Sequence, residues 1–170
     1  MSVPFSHDPA CAALLTGAPA RSPAEELQCH ALCEMMKTCQ SLDAALRREL
    51  ARSHLTVNGF RVLAQILGGE AAVVTPGDVA AGLELPRRQV STILGRLEVS
   101  GLTTSERMPG DRRTFTLKVT TAGRQLFAAA VAHSRAAIVR YMSVLPTRDI
   151  ATLDAACVLL RQSASSAPQI

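Results

Sequence analysis

The sequence predicts a mainly α chain with one small β-hairpin, an α+β arrangement in which long helices flank a compact central unit. Three observations predict it. Apolar residues recur at three- and four-residue steps through residues 24–54 and again through 121–163, the spacing of one helix face. Cap-and-proline pairs, Ser22-Pro23 and Thr75-Pro76, mark helix starts, because a missing N–H costs nothing in the first turn. Only between residues 102 and 119 does the apolar period fall to two, the spacing of a strand. With 170 residues, 48% hydrophobic and 19% charged, the chain can bury one core, and wholesale disorder is not expected.

Residues 1–23 carry four of the nine prolines and few charges, and read as a flexible arm. The first helix starts where Ser22 caps, Pro23 takes the first position, and Glu25 and Glu26 meet the positive helix end. Leu32, Met35, Cys39, Leu42 and Leu46 give it one apolar stripe over about eight turns. A small domain cannot cover a stripe that long, so this helix is expected to reach into a partner chain. Thr56 caps a second helix with Phe60, Leu63, Ala64 and Leu67 in phase, ended by Gly68-Gly69. Thr75 caps a short third helix holding Val79, Ala80 and Leu83, with Asp78 near its positive end.

After Pro86 a fourth helix runs from Arg87 to Ser100 and turns Val90, Ile93, Leu94 and Leu97 inward. Arg87, Arg88, Gln89, Ser91, Thr92 and Arg96 stay on or beside its outer face, and Gly101 suits the left-handed residue after a helix. Residues 102–107 and 114–119 favour strand; Phe115, Leu117 and Val119 alternate with Thr114, Thr116 and Lys118. The intervening Met108-Pro109-Gly110-Asp111-Arg112-Arg113 is a turn-rich basic loop. A second long helix from about Thr121 keeps Leu126, Ala130, His133, Ala137, Tyr141 and Val144 in phase until Pro146. Thr147 caps a last helix with Ile150, Leu153, Cys157 and Leu160 in phase, and residues 163–170 are expected to fray.

Composition excludes several function classes. Aromatic residues make up only 3%, with no Trp, which disfavours recognition of single strands by stacking. No apolar run approaches the roughly 18 residues of a membrane span, and the early run Ala10–Leu15 lacks the basic flank of a signal peptide. A cytoplasmic protein without membrane contact is expected. Five cysteines, an odd number, do not suggest a disulfide framework. The net charge of +4 is modest, but residues 86–113 hold six Arg against three acids. No Gly-rich phosphate loop, nucleophile elbow or zinc-hydrolase helix motif is present, so no catalytic residue and no cofactor is assigned.

A short helix, a tight turn, a polar-faced helix and a hairpin with arginines at its tip follow one another in the order of a winged helix-turn-helix. A helix fits the major groove, where Arg, Gln, Ser and Thr meet base-edge donors and acceptors. A thin basic hairpin reaches the narrower minor groove, where Arg reads width and potential. Arg87, Arg88, Gln89, Ser91, Thr92 and Arg96 are the groove candidates, and Arg112 belongs to the wing tip. Asp111 orients a neighbouring Arg, Arg113 serves either part, and Thr75 places helix N–H groups where a phosphate can sit.

These residues carry a resemblance. Leu55-Thr56, Phe60-x-x-Leu63, Val79-Ala80-x-x-Leu83, Val90-Ser91-x-x-Leu94-x-x-Leu97-Glu98-x-x-Gly101-Leu102, Gly110-Asp111-Arg112-Arg113 and Thr120-Thr121-x-Gly123 resemble the MarR family of transcriptional regulators over about residues 24–162. Gly59, inside a helix, and the longer leading arm depart from that pattern. The resemblance implies a homodimer on double-stranded DNA, its long terminal helices intertwined, each protomer offering one winged helix to half of a near-palindrome. It also implies a small aromatic or phenolic effector bound between the dimerisation helices and the winged helix. On this reading the chain divides into an arm (1–23), an N-terminal dimerisation helix (24–54), the DNA-binding domain (55–120), C-terminal dimerisation helices (121–163) and a frayed tail (164–170).

Control by the cysteines has three readings. Cys29, His30, Cys33 and Glu34 crowd one stretch of helix, as a metal site or a reactive thiol would need. Cys39 and Cys157 fall in apolar stripes, where Cys is a small hydrophobe. The structural reading is the stronger, and no metal ligand is assigned. Met36 and His54 join Cys29, His30 and Cys33 as effector or redox candidates, His54 as hinge or pocket residue; His133 reads as a hydrogen-bonded core histidine. The leading function is a repressor released by an effector. The alternatives are the same DNA-binding role under cysteine oxidation or metal control, and a winged helix used only for protein interaction.

Overall fold

Ser22 opens the first helix, its hydroxyl accepting the Glu25 N–H at 3.2 Å, and α1 runs Pro23–Ala51. The computed structural model describes Ala13 and residues 22–69, 73–108 and 111–166, so most of the expected arm lies outside the described residues. At 1.5 Å per residue α1 is about 43 Å long. It ends in a turn where the Ser53 and Leu55 N–H groups donate to Leu50 and that of His54 to Ala51. His54 takes a φ of 54° there, a left-handed conformation that His tolerates better than most residues.

Thr56 caps α2 (Val57–Gly68), its Oγ1 accepting the Gly59 N–H at 3.0 Å. A Cβ on Gly59 would lie 3.1 Å from that hydroxyl, so the glycine makes room for the cap. Helix α3 (Pro76–Leu83) opens on a reciprocal cap between Thr75 and Asp78, and α4 (Arg87–Val99) follows Pro86. Gly101, at φ 68°, turns the chain into the hairpin as its position predicts. Strands β1 (Thr103–Met108) and β2 (Asp111–Val119) pair antiparallel, Thr103 opposite Val119, Ser105 opposite Leu117 and Arg107 opposite Phe115.

The second strand is longer than expected. Residues 111–113, read as loop, are extended backbone, and the register shifts so that Met108 faces Asp111. Cross-strand pairing outweighs the turn preference of that run, at the cost of a local irregularity. Helix α5 (Thr121–Met142) is capped by Thr120, and α6 (Thr147–Ser166) follows Pro146. Thr147 is the first residue of α6 and not its cap; the Pro146 carbonyl accepts the first bonds, from Asp149 and Ile150. The helix also passes the expected fraying point at 163, the Ser165 and Ser166 hydroxyls donating back to Arg161 and Gln162.

The core lies in the central unit. Val62, Leu63, Ile66, Val79 and Val90 are fully buried between α2, α3 and α4, joined by Leu50, Leu94, Leu97, Leu117, Val119 and Ala130. Each large side chain so buried is worth about 1.5–3 kcal/mol. The Leu117 N–H donates to the Val74 carbonyl, tying the segment before α3 to the edge of β2. Phe60 of α2 stacks on Phe127 of α5 with ring centroids 4.9 Å apart. Thr120 clamps the same junction: its N–H donates to the Leu102 carbonyl, and its Oγ1 donates to Gly101 and accepts from Gly123.

The flanking helices are left open. Helix α1 packs along α5, whereas α6 packs closely on no other described element and buries none of its residues. Leu32 and Leu42 of the α1 stripe stay exposed, as do Leu153, Leu159 and Leu160 of α6. Two phase readings need correction. His133 is exposed and its neighbour Ser134 buried; Cys39 is exposed, and the buried cysteine of α1 is Cys33. Ala130 and Ala137 of the α5 stripe are buried as expected, whereas the inward positions of α1 are Cys33, Ala45 and Leu50, beside the expected stripe.

Candidate nucleic-acid interface

Helices α3 and α4 with the turn between them form the helix-turn-helix. Val90, Leu94 and Leu97 hold α4 against the core, and periodicity then sends Arg87, Arg88, Gln89, Ser91, Thr92 and Arg96 to the other side, where all six are exposed. The Ser91 and Thr92 hydroxyls donate to the Arg87 and Arg88 carbonyls, both at 3.0 Å, which leaves their oxygens free to accept. None of the described ion pairs involves Arg87, Arg88 or Arg96. The outer face of α4 is therefore a cationic and polar surface.

Thr75 caps α3 as expected. Its N–H and hydroxyl donate to Asp78 Oδ2 at 2.8 and 2.7 Å, and its Oγ1 accepts the Asp78 N–H at 3.2 Å. Hydrogen bonds from the Thr75 hydroxyl and backbone hold the Asp78 carboxyl below the usual carboxylate range. A carboxylate already neutralises this helix start, so Thr75 is a cap and a phosphate there would meet a like charge.

The hairpin stands beside α4. The Glu98 carboxylate accepts the Ser105 hydroxyl at 2.8 Å and the Ser105 N–H at 3.3 Å, a tie between recognition helix and first strand that the sequence reading missed. Lys118 and Glu106 bridge the strands at 2.7 Å. The side chains of Asp111, Arg112 and Arg113 lie outside the described part; their backbone continues β2.

The effector and redox candidates do not converge. Cys29 is half-buried, His30 exposed, Cys33 buried and Met36 exposed along α1, while His54 sits exposed in the α1–α2 turn. Among the described residues no three His, Cys, Asp or Glu side chains come together as a metal set. A cavity of about 300 Å³ opens elsewhere, between α1 and α5, lined by Leu42, Leu46, Ala137, Ile138 and Met142. Ser134 lines it too, its Oγ buried with no hydrogen-bond partner, and Glu49, Asp43 and Tyr141 complete its wall. Glu49 bonds Arg140 of α5 at 3.3 Å across the helix pair, and Arg52 at 3.2 Å. No spacing rule joins Glu49 to Arg140, which is why this site was missed.

A helix-turn-helix with an adjoining two-stranded wing and a cationic outer helix face has the form of a winged helix-turn-helix. Known structures share the fold. AbsC, a MarR family transcriptional regulator from Streptomyces coelicolor, superposes with a TM-score of 0.69 at 21% identity, over 88% of this chain and 100% of that one. A MarR mutant from E. coli complexed with operator DNA gives 0.63 at 24% identity, over 76% and 89%. CouR from Rhodococcus jostii RHA1, bound to p-coumaroyl-CoA, gives 0.62 at 22% identity, over 89% and 99%. No curated protein sequence matches the chain. Residues 55–114, the helix-turn-helix and most of the wing, match the MarR family in sequence. Over those residues the chain is similar to that family of transcriptional regulators. No helix among the described residues is long and apolar enough to cross a membrane.

Proposed function

We propose that the chain is a homodimeric, sequence-specific repressor that grips a near-palindromic operator and is released by a small-molecule effector. The observation that carries the reading is the outer face of α4, six exposed polar or cationic residues beside a basic hairpin. In this reading Arg87, Arg88, Gln89, Ser91, Thr92 and Arg96 enter the major groove. Arg112 enters the minor groove, with Asp111 orienting a neighbouring arginine and Arg113 serving either part. Residues 55–120 read the DNA, and α1, α5 and α6 join two protomers, which gives the exposed leucines of α6 a place to bury. The dimer presents two recognition helices to grooves about 34–36 Å apart. The E. coli relative held on operator DNA supports the same use of the fold.

The test is selection of bound fragments from genomic DNA, followed by titration across salt. Arg112→Ala is expected to weaken operator binding and to make the salt slope shallower by roughly one phosphate equivalent or less per protomer. An unchanged affinity and slope would take the wing out of the mechanism.

The effector is assigned to the cavity between α1 and α5. Its apolar wall suits a ring or short chain, and the orphan Ser134 hydroxyl suits one polar atom on it. The site spans two helices of the dimer interface, so a ligand that binds better to one α1–α5 arrangement shifts the spacing of the recognition helices. Ser134→Ala removes an unsatisfied group, so stability is expected to hold or rise while the concentration of a phenolic effector needed for release rises about tenfold. Release at the wild-type concentration would rule the cavity out.

A further inference from the structure

We infer that Arg107 is a further contact to the DNA backbone, positioned in advance by the ring of Phe115 near the tip of the wing. The inference rests on the DNA-binding reading above and adds to it a residue and a place.

Arg107 and Phe115 face each other across the hairpin, and the guanidinium carbon lies 5.7 Å from the ring centroid. They share the hairpin face that holds Ser105, Leu117 and Val119, the face turned toward α4, because residues two apart in a strand point the same way. Leu117 and Val119 are buried on that face, yet Phe115 is 39% exposed. Its ring borders a cleft of about 240 Å³ between hairpin and recognition helix, whose other wall includes Ser91 and Gly95. Ser91 and Gly95 of α4 and the Phe115 ring that carries Arg107 thus stand on two sides of one cleft.

The described charges around Arg107 leave it available. Glu106 points to the opposite hairpin face and is bound by Lys118. Glu98, in the cleft, accepts two hydrogen bonds from Ser105, which holds its carboxylate at the junction of helix and strand. Arg107 takes part in none of the ion pairs among the described residues. A guanidinium stacked on a ring keeps its in-plane N–H donors free, and its planar fork fits phosphate oxygens. It also loses little freedom on binding, since the ring already confines it. A duplex strand lying along the cleft would meet the α4 face on one side and Arg107 on the other.

The experiment uses the full chain and a genomic duplex that the wild type selects, with affinity measured by fluorescence anisotropy from 50 to 200 mM salt. Arg107→Ala is expected to make the slope of log K against log salt shallower by about 0.9 per protomer. Phe115→Leu is expected to cost roughly two- to fivefold in affinity, the worth of an exposed cation–π contact. That cost should vanish in the Arg107→Ala background, because the ring acts through the guanidinium. Arg107→Lys should keep the slope. Melting temperatures and helix content near wild type show that the variants are folded. A wild-type slope in Arg107→Ala, or losses that multiply independently in the double variant, would overturn the assignment while leaving the DNA-binding reading standing. A wild type that selects no duplex would overturn that reading itself, before any variant is made.

Discussion

Replacing Leu153 and Leu160 of α6 by Glu is expected to give a folded monomer whose operator affinity is lower by about 10²- to 10⁴-fold. The size follows from avidity: two linked binding units gain that much over one without any new contact. The physical ground is the state of α6 in a single chain. It is a 20-residue helix that buries none of its residues, yet Leu153, Leu159 and Leu160 are 43%, 66% and 51% exposed. A helix of that length does not keep an apolar stripe in water unless something covers it. The open α1 face with Leu32 and Leu42 has the matching character. The central core draws nothing from α6, so the winged helix should keep its fold. Sedimentation with and without the two glutamates gives the mass, and anisotropy the affinity. A dimer that survives both substitutions would show that α6 is not what joins the protomers.

Gly123→Ala is expected to cost about 1–3 kcal/mol, which for a chain of this size lowers the melting temperature by roughly 2–12 °C. A Cβ at this position would collide with the Leu102 carbonyl oxygen and stand 2.7 Å from Val119 Cγ1. Neither can yield cheaply. Leu102 accepts the Thr120 N–H at 3.0 Å, and Val119 is buried in the core. The substitution strikes the place where α5 leaves the winged helix, so it should also loosen the angle between the two parts and weaken operator binding beyond the loss of folded protein. Gly68→Ala is the control, since a Cβ there meets nothing within 4 Å. Equal melting temperatures for both variants would mean that the α5 junction gives way easily and is no clasp.

The Thr120–Gly123 junction shows how far local sequence carries. A helix was expected from about Thr121, and it starts there; that its capping Thr120 also reaches Gly101, nineteen residues back, is a fact of packing. The same holds for the interface. Arg87, Arg88 and Arg96 could be placed outside because Val90, Leu94 and Leu97 had to go inside, a matter of one helix and its own period. Arg107 escaped notice because its partner is Phe115, and only strand register brings them together. The cysteine-rich stretch of α1 drew attention as a cluster in sequence, but a helix spreads consecutive residues around its axis. Cys33 turned inward and His30 outward.

Helix starts, glycine turns, the hairpin and the polar face of α4 depend on interactions between near neighbours along the chain, and these were readable from residue order. Individual inward positions within the long helices were not: Ala130 and Ala137 were placed correctly, but His133 and Ser134 differ by one position, a rotation of about 100°, which apolar spacing in an alanine-rich helix resolves poorly. The Glu49–Arg140 bond, the cavity around Ser134 and the Glu98–Ser105 tie needed the chain brought back on itself. Such contacts depend on how helices cross and strands register, and that geometry is set by packing the whole core at once.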